Sequence, residues 1–123
     1  MNKRRILLAA LASVLATGQA AAQNFSCRVL PAAYLGLNGA GMLSVGVEGA
    51  GIQQICSVNQ DLGGVSATVC TGWYSSLQVW RTTGKTGWLY YDPNNPANGG
   101  GGKTACSQFA NWDLRIPYHF EAG

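Results

Sequence analysis

The hydrophobic and polar positions of this chain follow a period of two, then a helical period, then a period of two again. The clearest stretch is MLSVGVE, residues 42–48. Leu43, Val45 and Val47 share one face, and Met42, Ser44, Gly46 and Glu48 share the other, as in a half-buried strand. The preceding AAYLGLN (residues 32–38) reads as its partner across the turn Gly39-Ala40-Gly41. A second Gly-Ala-Gly turn at residues 49–51 leads into a third strand, IQQICSV (52–58), and the loop NQDLGG follows. VSATVC (65–70) is apolar and β-branched, a short strand or the lead-in to a helix.

The period then changes. Trp73, Leu77 and Trp80 lie four and three residues apart, on one helical stripe. Thr71 can cap the start, and Gly84 sits where a helix ends in the left-handed conformation, so residues 71–85 predict a short amphipathic helix. TGWLYYD (86–92) returns to strand character. In DLRIPYHFE (113–121), Leu114, Ile116, Tyr118 and Phe120 alternate with polar neighbours and predict one strand. Pro117 cannot donate to a ladder, which puts that strand at an edge or gives it a bulge. The order predicts a mainly β fold with one short α-helix. An OB-fold-like five-stranded antiparallel barrel, with its helix between the third and fourth strands, fits it. A helix packed on an open antiparallel sheet is the alternative.

The N-terminus carries a basic MNKRR, an apolar ILLAALASVLA too short to span a bilayer, and small residues at Ala20 and Ala22. This predicts a signal peptide over residues 1–22, cleaved after Ala22, and a single small exported domain over residues 23–123 in the periplasm or outside the cell. No membrane span is expected once the signal is removed. The formal charge of +3 belongs to the precursor, because Lys3, Arg4 and Arg5 leave with the signal. The five remaining cations balance five carboxylates, so charge gives no reason to expect a nucleic-acid partner.

Four cysteines in an exported chain, Cys27, Cys56, Cys70 and Cys106, predict two disulfides, and their spacing is too wide for a zinc site. One connectivity joins Cys56 to Cys70 around the NQDLGG loop and Cys27 to Cys106. The other joins Cys27 to Cys56 and Cys70 to Cys106. The direction of the chain on either side of the loop favours the first.

Candidate chemistry is sparse. ANGGGGKT (97–104) fits the loose form of a nucleotide-binding loop, but two prolines and two asparagines immediately precede it where a buried strand belongs, and a third asparagine, Asn98, stands within it. It reads as a surface loop, and no nucleotide, metal or other cofactor is expected. The only histidine, His119, has no serine in a G-x-S-x-G context to activate, and the five acids show no paired arrangement. The chain reads as a non-enzyme. The aromatic residues are more telling, since ten of twelve fall between Trp73 and Phe120. Trp88, Tyr90 and Tyr91 cannot all face inward on one strand, so one face of WLYYD presents aromatic surface to solvent or a partner. Aromatic planes suit the apolar C–H faces of sugar rings.

ICSVNQDLGGVSATVC, a helix, and then TTGKTGWLYY resemble the receptor-binding B subunits of subtilase cytotoxin and typhoid toxin. GMLS, residues 41–44, is similar to a Gly-Met-Phe-Ser of the former. The resemblance covers residues 41–92, about half of the mature chain. In this chain the helix and the segment between Ser44 and Cys56 are shorter, and a lone Cys106 stands in place of a C-terminal cysteine pair. The resemblance implies an OB-fold, homo-oligomeric assembly as pentamers, and sialylated glycans as ligands, with Ser44 as a sugar contact. It also points to the Cys56–Cys70 pairing. The expected function is a non-catalytic binding module for a host or bacterial glycan or a protein partner, with Ser44, Trp88, Tyr90 and Tyr91 as its contacts. The alternative is a periplasmic structural protein or hydrolase inhibitor that uses residues 92–103 as a plug.

Overall fold

The computed structural model describes residues 23–95 and 102–122. The expected signal peptide lies outside the described residues. Among the described residues, seven strands and one α-helix form around a single apolar centre: β1 (Phe25–Val29), β2 (Leu35–Leu37), β3 (Met42–Val47), β4 (Gly51–Ser57), α1 (Ala67–Thr83), β5 (Gly87–Tyr91), β6 (Asp113–Leu114) and β7 (His119–Ala122). They pair as two sheets, β1-β5-β7 and β2-β3-β4-β6, and not as one closed five-stranded barrel. All pairings are antiparallel except β4 with β6. The helix follows the fourth strand instead of the third, because β1 precedes the strands anticipated from the pattern.

The sheets meet at two corners. At one, the Glu48 backbone N–H donates to the Arg28 carbonyl over 2.8 Å, joining the end of β3 to β1. At the other, the chain changes sheets between β6 and β7. The Arg115 N–H donates to the Gln54 carbonyl of the four-stranded sheet, and the Tyr118 N–H donates to the Tyr90 carbonyl of the three-stranded one. The single strand expected over residues 113–121 is therefore two short ones. Ile116 and Pro117 are buried in the crossing, where Pro117 has no N–H to lose from a ladder. Leu114 and Tyr118 consequently turn to solvent, against the expected inward row, and Phe120 packs inward.

The helix cap lies five residues before the expected one, Thr71. Ser66 is the cap, accepting the Val69 N–H at 3.1 Å, and the Asp61 carboxylate accepts the Ala67 N–H at 3.1 Å. Two of the otherwise orphaned amides of the first turn are thus satisfied ahead of Thr71, whose hydroxyl donates back to the Ala67 carbonyl. The C-terminus ends at Gly84, with φ 73°, as its position predicts. Cys70 and Leu77 are buried, and Trp73 and Trp80 close on Phe120 with ring centroids 5.5 and 4.7 Å away.

Between the sheets lie Leu43, Val45, Ile55, Leu89 and Tyr91, all fully buried. The β3–β4 register shifts between Leu43 and Ser44, which sends both Ile55 and Cys56 inward. Two disulfides staple the centre. Cys56–Cys70 ties β4 to the first turn of α1, and Cys27–Cys106 ties β1 to a single 3-10 turn, Cys106–Gln108. The connectivity is the one favoured by chain direction.

Ser66→Ala is expected to lower stability by about 1 kcal/mol. Urea unfolding should show this as a lower midpoint with an unchanged slope. The disulfides are worth more. The Cys56–Cys70 loop spans 14 residues and the Cys27–Cys106 loop 79. Replacing each pair by alanine should cost about 3 and about 4.5 kcal/mol respectively on loop entropy. Equal losses for the two pairs in chemical unfolding would contradict that ordering.

Candidate functional site

The outer face of the three-stranded sheet gathers the most polar and aromatic chemistry of the described chain. Strand register sets its layout. Ser26, Tyr90 and His119 form one row across β1, β5 and β7, and Arg28, Trp88 and Glu121 form the next. Each strand pleats, so these residues point outward while Cys27, Val29, Leu89 and Tyr91 point into the core. Trp88 and Tyr90 are half-buried, so each is held by its neighbours and still open to solvent.

Around them the polar groups are already engaged with one another. The Tyr90 hydroxyl donates to Glu121 Oε1, and His119 Nε2 lies 3.2 Å from Glu121 Oε2. The His119 ring stands edge-on to Tyr90 at 5.3 Å, and Tyr118 closes the other side at 6.4 Å. Asn24 donates to the Tyr118 hydroxyl at 3.2 Å. Arg28 holds Glu48 through Nε and Nη2, the latter at 2.6 Å from Oε1, while its guanidinium sits 6.0 Å from the Trp88 ring centroid.

These contacts shift the titrations. The hydrogen bond from Tyr90, and then that from His119, holds the Glu121 carboxyl below its ordinary range, and the same bond raises the Tyr90 hydroxyl. The Arg28 hydrogen bond lowers Glu48. The side chains of both ion pairs are about 41 to 53 % exposed. Exposed pairs contribute only about 0–1 kcal/mol to stability. This arrangement therefore orders a surface far more than it holds the fold.

Of the residues expected to contact a ligand, Trp88 and Tyr90 belong to this face. Tyr91 does not. It is fully buried, stacks on Phe25 at 5.6 Å and donates its hydroxyl to the Arg115 carbonyl at 3.1 Å. Burial pushes that hydroxyl's pKa far up, so it stays protonated. Ser44 lies in the other sheet and is only 4 % exposed. Its register partners are Gly36 and Gln54, and on its face Tyr34 leans back until its hydroxyl would lie 2.5 Å from a side chain at Gly36. Ser44 thus does not offer its hydroxyl on an open surface, and the structure does not bring it to the Trp88 face. Of the expected plug, Asp92 accepts the Asn94 N–H at 2.8 Å in a turn, and residues 96–101 lie outside the described residues. After Lys103 comes only the 3-10 turn, in place of the long helix that a phosphate loop feeds.

Arg28, Glu48, Tyr118 and Glu121 join the site without having been singled out as contacts in the sequence, and His119, set aside there for want of a nucleophile to activate, is part of it. The available signal was strand phase: Arg28 alternates with Cys27 and Val29, and His119 and Glu121 share a parity. A separate feature on the four-stranded sheet was also not anticipated. An apolar groove of about 320 Å³ is lined by Leu30, Ala33, Gly46 and Ile52, with Glu48 among its lining residues. Nearby, Trp112 holds φ 64° and meets Tyr34 edge-on at 5.7 Å.

No protein-family model, curated protein or solved structure matches this chain. Among the described residues, no group of three or more His, Cys, Asp and Glu side chains could hold a metal ion, and no helix is long and apolar enough to cross a membrane. The two disulfides are compatible with an oxidising compartment.

Tyr90→Phe tests the hydrogen bonding of the face. Glu121 has a depressed folded pKa, so the stability it lends is present above its unfolded pKa and is lost as pH falls through the folded one. Without the Tyr90 donor, the Glu121 midpoint should move upward toward the ordinary carboxylate value. Carboxyl-resolved NMR titration of wild type and variant would show it, and an unmoved midpoint would rule out the bond in solution.

Proposed function

We propose that this chain is an exported, non-catalytic binding module that holds a glycan against Trp88 and Tyr90. The observation that carries the reading is the pair of aromatic side chains, two residues apart on β5 and both outward, bordered by the carboxylates Glu121 and Glu48. A pyranose has an apolar C–H face for the indole and phenol rings, and hydroxyls for the acceptors beside them. The acceptors are held by their own partners, so little freedom is lost when a ligand arrives. The resemblance of residues 41–92 to toxin B subunits supports a glycan as the ligand class and a homo-oligomer as the working form. Placing the chain in the periplasm or outside the cell rests on the leader-like N-terminus and is consistent with the two disulfides.

Binding of the mature chain to a glycan array, followed by calorimetry on the best ligand, tests the proposal. Trp88→Ala and Tyr90→Ala should each weaken binding by about tenfold or more, equivalent to about 1.4 kcal/mol. Val79→Ala, on the exposed side of α1, should leave it unchanged. Absence of any glycan binding, with inhibition of a cell-wall hydrolase instead, would replace this reading with that of an inhibitor.

A further inference from the structure

The charges on the same face discriminate among glycans. Projecting from the three strands are one guanidinium, Arg28, and one carboxylate, Glu121, and Glu48 reaches in from the end of β3 to engage Arg28. Two carboxylates thus stand against one cation. Protonation of His119 would bring the sum only to zero. The Nε–Nη2 edge of Arg28, the one suited to bidentate capture of a carboxylate, is occupied by Glu48. Glu48 is also tethered there, because its own N–H donates to the Arg28 carbonyl. An incoming anion would have to displace an intramolecular partner and then face Glu121 across Trp88. An uncharged sugar meets neither obstacle. Its hydroxyls donate to carboxylate oxygens, and its C–H face lies on the rings.

We infer that the Trp88–Tyr90 site selects uncharged, hydroxyl-rich pyranosides and disfavours sialylated and other anionic glycans. This rests on the reading of the face as a glycan site, and it departs from the ligand that the toxin resemblance implies. The depressed Glu48 and Glu121 titrations agree with it, since both groups stay ionised into the acid range. The selection arises from the electrostatics of three side chains and needs no contact from Ser44.

The test uses the mature chain and an array printed in pairs that differ only by a terminal sialic acid. For every pair bound, the neutral member should bind more tightly by about fivefold or more, as expected for one unfavourable surface charge contact. Its affinity should be flat with added salt. Glu48→Gln frees Arg28 and removes a negative charge, so it should narrow the gap to about twofold or less. Glu121→Gln, which keeps the shape of the acceptor but not its charge, should weaken the neutral ligand and also narrow the gap. Retained thermal midpoints in both variants would exclude unfolding as the cause. If wild type prefers the sialylated members and Trp88→Ala abolishes that binding, the charge inference fails while the site stands. If Glu48→Gln and Glu121→Gln leave the discrimination unchanged, the inference also fails. If no glycan binds, or Trp88→Ala is without effect, the reading of the face itself fails and takes this inference with it.

Discussion

Strand β5 pleats, and it is both the centre of its sheet and the strand with the largest side chains. Trp88, Leu89, Tyr90 and Tyr91 follow one another in sequence, and a pleated strand sends them to opposite faces by turns. Leu89 and Tyr91 become the floor of the core, packed with Phe25 and Phe109. Trp88 and Tyr90 are then committed to the outside, whatever the rest of the chain does. β1 and β7 flank them and contribute Arg28, His119 and Glu121 at matching parity. A one-residue slip of β5 would bury both Trp88 and Tyr90 and expose Tyr91, so the core and the surface are fixed by the same register.

Because the protein is divided into two small sheets, the corners matter. At the Arg28–Glu48 corner, a backbone hydrogen bond carries the structure and a side-chain ion pair lies over it. At the other corner, the chain itself crosses, with Ile116 and Pro117 sealed inside. The buried Gln53 bridges between elements there, donating from Nε2 to the carbonyls of Ala50 and Ala110 at 3.0 and 2.9 Å. The face that carries Trp88 is therefore anchored on both sides, although its own ion pairs add little to stability.

Much of this was legible in the sequence where the signal is local. The phase of β3, the helical stripe through Trp73, Leu77 and Trp80, the glycine at the end of α1 and the Cys56–Cys70 bond follow from residues near one another. The division into sheets was not legible, because alternation gives a strand's phase and not its partner. β1 pairs with β5, which lies more than fifty residues away, and β6 pairs in parallel with β4. β1 did alternate, with Phe25, Cys27 and Val29 against Ser26 and Arg28, but it is five residues long and closely follows an apolar N-terminal run. At the helix start Thr71 alone was read as the cap, and the pairing of Ser66 with Asp61, which folds back from the loop to satisfy the next amide, was not legible. For the site, the aromatic half was legible on one strand. The charged half was not, because it comes from β1, β7 and the turn after β3, which only tertiary pairing brings together.

The two disulfides are nested: Cys27 and Cys106 enclose Cys56 and Cys70. A chain that emerges N-terminus first exposes Cys27 and Cys56 together long before Cys106 appears. Pairing in order of appearance would join them, and would leave Cys70 to Cys106. The order of synthesis thus works against the final connectivity. Where Cys27 does pair first with Cys56, the native pairing is reached by thiolate attack on that bond, with mixed disulfides as intermediates. For chains that take that route, a catalyst of disulfide isomerisation shortens the way to the nested pairing, whereas chains that close the short Cys56–Cys70 loop first need oxidation alone.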